Sequence, residues 1–195
     1  RAIVNLLTCP GGEGKKMHQR TIRRPVQFSG VGLHSGKIAN ATLLPACENF
    51  GIQFARTDLK KQPKVVADFS NVHCTRLATT LKRDQAEVRT VEHLMAALHG
   101  ADIQNCLVEI DGPEIPILDG SAKIFFDQIQ EAGTRQQKVL TPFLRLKREV
   151  AVIEENRAAI ARPSDCFKIR AEVSWNHPLI GTQRYEYVEG QSDFT

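Results

Sequence analysis

The chain has 195 residues, 42% hydrophobic and 25% charged, with 13 Gly and 9 Pro. This composition fits a folded globular protein and excludes collagen-like, low-complexity and wholly disordered chains. The net charge of +4, from 26 Lys and Arg against 22 Asp and Glu, is too small and too scattered to indicate a nucleic-acid binder.

Residues 1–16 read as an upstream or linker segment without folded structure. They are basic, then apolar, then Gly-rich, and they lack the long apolar centre and small-residue cleavage site of a signal peptide. Met17 reads as the natural start. Short β-rich stretches follow at Thr21 to Phe28, Ile38 to Leu44 and Gly51 to Phe54, separated by Gly-containing turns in the manner of a meander. Val65 to Phe69 and Ala78 to Lys82 add strand signals. Thr90 to His99 is then rich in helix formers, with Thr90 in the N-cap position and Gly100 at the end.

Asn105 to Asp111 alternates as a strand, and Pro113 to Gly120 is a rigid connection carrying Asp119. Ser121 to Ala132 has the apolar spacing of an amphipathic helix stopped by Gly133. The polar run from Thr134 to Pro142 reads as a linker. Strand signals resume at Phe143 to Val152, Ala158 to Arg162, Phe167 to Trp175 and Gln183 to Val188. The expected class is α+β, with small, mainly antiparallel sheets packed with helices. The expected organisation is an N-terminal α+β domain at 17–138, followed at 139–195 by the first strands of a second domain that is incomplete. The longest apolar stretch, Leu94 to Leu98, is far short of the roughly 20 residues needed for a membrane span.

Glu92 and His93 stand side by side at the start of the first helix, where unpaired backbone NH groups and the helix dipole favour a carboxylate. A metal-binding His beside a carboxylate that takes a proton from water suits a metal hydrolase. The pair alone is a weak signal, because most Glu-His neighbours are surface residues. The H-E-x-x-H order is reversed here, and Arg89 stands where an H-x-x-E-H motif needs its first His. His34, His73 and Cys74 are further candidate ligands, but no spacing brings them to His93, and a catalytic zinc site needs about three protein ligands. The loop from Gly30 to Gly36 lacks the ending of a phosphate-binding loop and reads as a tight turn, with His34 able to face a ligand. The five cysteines are widely spaced without a C-x-x-C, so a reducing cytoplasm is the simplest compartment.

Several stretches say more together than singly. They are Thr21, Gly30-Val31-Gly32-Leu33-His34-Ser35-Gly36, Thr90-Val91-Glu92-His93-Leu94, Pro113-Glu114-Ile115-Pro116-Ile117-Leu118-Asp119-Gly120-Ser121-Ala122, and later Asn176-His177-Pro178. In this order and spacing they resemble the UDP-3-O-acyl-N-acetylglucosamine deacetylase family of lipid A biosynthesis, from about Met17 to the end.

The resemblance implies a cytoplasmic, zinc-dependent amidase of Gram-negative bacteria that removes acetate from UDP-3-O-acyl-N-acetylglucosamine, built from two similar α+β domains. It places His93 on a zinc ligand and Glu92 on the general base. Trp175 falls where the family usually carries a Phe stacked on uracil, Arg157 where a basic residue approaches the substrate, and His34 on a supporting His near the site. The family's other zinc ligands, in an H-K-x-x-D pattern, and a Thr in an R-A-R-T-F stretch are expected beyond Thr195. These 195 residues alone are therefore expected to be inactive. The alternative is a non-catalytic chain that binds a UDP-sugar or a partner chain. Neither a nucleic-acid partner nor a membrane span is expected.

Overall fold

Pairing along the first third of the chain follows its apolar alternation and breaks where side chains cannot be buried. In the computed structural model, which describes residues 2–8 by their backbone together with 17–142, 146–164 and 166–189, the strand expected over Thr21 to Phe28 is two. They are β2 (His18–Ile22) and β3 (Val26–Val31). Between them lie exposed Arg23 and Arg24 and then Pro25, which has no NH for a ladder. Strand β1 (Ala2–Thr8) precedes both.

The chain divides into two units, one Met17–Thr141 and the other Arg1–Lys16 with Pro142–Phe194. In the larger unit, β4 (Ile38–Pro45), β5 (Ile52–Arg56), β6 (Lys64–Val66) and β10 (Cys106–Ile110) join β3 in a sheet of order β3-β4-β10-β5-β6. All its pairs are antiparallel except β10 with β5. A second sheet holds β7 (Val72–Cys74), β8 (Thr80–Arg83) and β9 (Ala86–Val88). Helices α1 (Glu92–Gly100) and α2 (Lys123–Ala132) pack on each other, and α2 also meets β3. There Phe28 and Phe125 stand edge to face, 4.8 Å between ring centroids.

This arrangement follows from where the apolar side chains fall. Leu43, Phe54, Val108 and Ile110 from the sheet and Leu94, Leu98, Phe125 and Ile129 from the helices are fully buried in one cluster. Each such burial contributes about 1.5–3 kcal/mol. Gly133 ends α2 at φ +76°, a backbone state that disfavours a side chain.

Two expectations in this unit are corrected. The polar run after Gly133 is not a linker: β11 (Thr134–Leu140) pairs antiparallel with β2. Its polarity serves half-buried long-range hydrogen bonds, since Asn105 Nδ2 donates to Gln137 Oε1 at 2.7 Å and Gln137 Nε2 donates to the Ala46 carbonyl at 2.9 Å. Thr90 is not the N-cap of α1. Val91 takes that position with helical dihedrals and no side-chain cap, while Thr90 sits at φ +57° with its hydroxyl turned elsewhere.

In the smaller unit β12 (Val150–Glu154), β13 (Arg157–Pro163), β14 (Lys168–Ser174) and β15 (Thr182–Val188) join β1 in the order β12-β13-β1-β14-β15. The expectation of an unfolded 1–16 is corrected at Ala2–Thr8, which runs parallel to β13 and antiparallel to β14. Its apolar run Ala-Ile-Val-Asn-Leu-Leu has the β-branched character of a central strand. Residues 9–16 lie outside the described residues, as does the start of the strand expected from Phe143. Among the described residues both helices belong to the larger unit, and the whole is α+β with small, mainly antiparallel sheets. No helix of the described residues is long and apolar enough to cross a membrane.

Candidate active site

Glu92 opens α1, where a carboxylate complements the helix dipole, and Leu94, Ala97 and Leu98 anchor that helix in the core. The turn before β8 holds the carboxylate: the Thr79 amide donates to Glu92 Oε2 at 3.0 Å, and the Thr79 carbonyl accepts from the Val91 amide at 3.4 Å. Glu92 and His93 are both half-buried, reachable from solvent but backed by protein. Asp119 lies within electrostatic reach of His93. Its carboxyl is held below the usual range chiefly by the Ser121 backbone amide and hydroxyl, with the His93 charge adding to the effect.

The glycine loop reaches the same region through Glu114. The loop closes by hydrogen bonds from the Gly32 amide to the Lys37 carbonyl and from the Gly36 amide to the Gly32 carbonyl, both at 2.9 Å, with Gly36 at φ +64°. Glu114, 1% exposed, accepts from the His34 amide at 3.0 Å, the Ser35 amide at 2.7 Å and the Thr90 hydroxyl at 2.9 Å. Burial pushes its carboxyl up, but the His34 and Ser35 amides and the Ser35 and Thr90 hydroxyls more than offset this, leaving it below the usual glutamate range. A side chain at Gly32 would place its Cβ 2.5 Å from Glu114 Oε2, so the close approach requires glycine.

The segment carrying Glu114 is itself clamped. The Arg89 amide donates to the Pro113 carbonyl at 2.9 Å, the Ile115 amide to the Arg89 carbonyl at 3.1 Å, and the Ile117 amide to the Val31 carbonyl at 3.0 Å. Sequence reasoning placed Glu114 in a matching block but assigned it no role. The signal was a charged residue inside the run Pro-Glu-Ile-Pro-Ile-Leu, because a carboxylate buried among apolar neighbours must be hydrogen-bonded.

Trp175 and Arg157 lie in the smaller unit. Trp175 is 61% exposed just past β14, and its amide donates to the Gly181 carbonyl at 2.9 Å, closing the turn to β15. Arg157 begins β13 and pairs with Glu154 across the β12–β13 turn at 2.8 Å. Strand register places the two residues toward the same end of the sheet: Ala2 of β1 lies opposite Arg157 on one side and Val173 on the other. Arg157 and the β14 end leading to Trp175 therefore share one end of the sheet, two strand spacings or about 10 Å apart.

The structure thus ties the His34 backbone amide, through Glu114, to Thr90 just ahead of Glu92 and His93, leaves the His34 side chain exposed, and places Arg157 and Trp175 toward one sheet end of the smaller unit. His73 and Cys74 are exposed on β7. Among the described residues, no three His, Cys, Asp or Glu side chains come together in a group able to hold a metal ion.

The LpxC family model, described as UDP-3-O-acyl N-acetylglycosamine deacetylase, matches residues 19–195. A UDP-3-O-acyl-N-acetylglucosamine deacetylase of Myxococcus xanthus is 44% identical over 177 residues, 91% of this chain and 56% of the relative. Proteins of the same description from Cellvibrio japonicus and Hahella chejuensis are each 42% identical, over 86% and 87% of this chain and 55% and 56% of their own lengths. The chain spans little more than half the length of these curated relatives.

Proposed function

We propose, from the premise that this chain belongs to the UDP-3-O-acyl-N-acetylglucosamine deacetylase family, that it carries the general base and the nucleotide contacts of an enzyme removing acetate from UDP-3-O-acyl-N-acetylglucosamine in lipid A biosynthesis in the cytoplasm. The observation that carries this reading is the pair Glu92-His93 at the start of α1, with one Glu92 oxygen fixed by the Thr79 amide. Holding one carboxylate oxygen aims the other, and an aimed carboxylate is what proton removal from an attacking water requires.

The resemblance implies zinc, with His93 as one of its donors. A catalytic zinc takes about three protein donors, and the described residues bring no such group together. They do not make a zinc centre by themselves, and the 195 residues alone are expected to give no turnover. What the chain's own groups do is bind and move a proton. Glu92 accepts the proton of the attacking water, His34 borders the reacting group, the exposed Trp175 ring stacks on uracil, and Arg157 approaches the substrate.

Replacing the matching stretch of the Myxococcus xanthus relative with residues 19–195 of this chain tests the reading by acetate release. Turnover by the hybrid, lost in Glu92→Gln, is expected; a hybrid indifferent to Glu92→Gln refutes the assignment of the base. A second reading, binding of a UDP-sugar without catalysis, is favoured by the shared sheet end of Arg157 and Trp175. It expects a hybrid without turnover, and UDP binding to the 195-residue chain that is lost in Trp175→Ala and indifferent to Glu92→Gln.

A further inference from the structure

Glu114 joins three stretches that are far apart in the sequence. Its Oε1 accepts from both the His34 amide and the Thr90 hydroxyl, so the glycine loop and the approach to α1 meet on one oxygen. Oε2 takes the Ser35 amide. A buried carboxylate with donors on both oxygens is not replaceable by an amide, whose NH2 must face at least one of those donors. Aspartate is one methylene too short to span the same gap. Thr90 is held at φ +57°, an unfavourable state for a β-branched residue, and its buried hydroxyl is satisfied by Glu114. Gly32 makes room for the carboxylate where any side chain would strike it.

We propose that Glu114 is a positioning residue, whose buried carboxylate fixes the backbone at His34 relative to Thr90 through His93 and so sets where the His34 imidazole sits with respect to Glu92. What the positioning is for rests on the deacetylase reading; the coupling itself does not. A carboxylate that served only to fill the core would spread its loss over the whole larger unit. One that positions the loop gives a local loss, and it transmits a change at Thr90 to His34.

The test is NMR of the full 195-residue chain, reading amide hydrogen exchange and the imidazole signals of His34 and His93. In Glu114→Gln, exchange at the His34 and Ser35 amides is expected to quicken roughly 10-fold or more, with the His34 signals shifted and Leu98 and Val108 as protected as before. Thr90→Ala is expected to move the His34 amide signal, Thr90→Ser to restore it, and Thr90→Ala to add nothing in the Glu114→Gln background. Unchanged exchange at His34 and Ser35 in a folded Glu114→Gln chain, a His34 signal blind to Thr90→Ala, or equal loss of protection at Leu98 and Val108 overturns the proposal. If Glu114→Gln does not fold, the Thr90 pair decides alone. Absence of acetate release by the hybrid counts against the deacetylase reading and leaves these couplings as the judge of Glu114.

Discussion

The two units make opposite use of β-structure. In Met17–Thr141 the strands alternate buried and exposed residues, as along β4, and two helices seal the buried face around Leu43, Phe54, Leu94 and Phe125. In the smaller unit no described residue from 146 onward is buried, and all five residues of β12 are exposed, Val152 at 60% and Ile153 at 71%. That sheet is held by its ladders and by cross-strand ion pairs such as Arg184 with Glu172 at 2.7 Å and Arg170 with Glu186, which contribute little when exposed. The proposed chemistry sits on the packed unit and the proposed nucleotide contacts on the open one, which suits a base that must be aimed and a stacking surface that must be reached.

Core truncation breaks the contrast most severely. Leu94→Ala is expected to destabilise the larger unit by about 3–5 kcal/mol, whereas Val152→Ala changes stability by no more than about 0.5 kcal/mol. The two units have separate reporters: the single Trp, Trp175, lies in the smaller one and both helices of the described residues in the larger. Urea titration should show Trp fluorescence changing at lower denaturant than helical circular dichroism, with Leu94→Ala moving only the second transition. Coincident transitions would remove the contrast.

The buried carboxylate ranks next. Glu114→Gln is expected to lower the local stability of the loop at His34 and Ser35 by about 1–3 kcal/mol at neutral pH, by leaving a buried donor unsatisfied, and to leave the core of the larger unit unchanged. Because the folded carboxyl lies below its ordinary value of 4.5, its contribution is full above that value and fades as the pH falls through the lower folded value. Wild type and Glu114→Gln should therefore converge in acid, and a gap that persists there contradicts this account of the site.

The smallest effect is a chemical one. Buried Cys106 has its thiol pushed up to about 12 by burial. Cys47 and Cys74 are exposed, so a thiol reagent at mildly alkaline pH should label them quickly and reach Cys106 only after the larger unit opens. Rapid labelling of Cys106 in the folded chain would show that the core is looser than described.

Much of this was legible in the sequence, for identifiable reasons. A β-rich stretch between Gly-containing turns marked β4, period-2 alternation marked β10, and i, i+4 apolar spacing with Gly133 marked α2, because burial writes directly into local pattern. The linker expected over Thr134 to Pro142 failed because β11 uses polar side chains in long-range hydrogen bonds, Gln137 to Asn105 and Ala46, which leave no local period. The N-cap at Thr90 failed because its hydroxyl is drawn to Glu114, a residue far along the chain. At the site, Glu92 and His93 were visible as a motif, but the Thr79 amide that fixes Glu92 and the Glu114 node that holds the His34 loop are tertiary contacts.

The division of labour between the units is tested most directly by steady-state kinetics of the hybrid carrying residues 19–195, comparing Glu92→Gln with Trp175→Ala. The account predicts that Glu92→Gln lowers kcat by about 10²–10⁴-fold with KM little changed, and that Trp175→Ala raises KM by roughly 5- to 150-fold with kcat little changed. A kcat untouched by Glu92→Gln, or a Trp175→Ala effect confined to kcat, would contradict it.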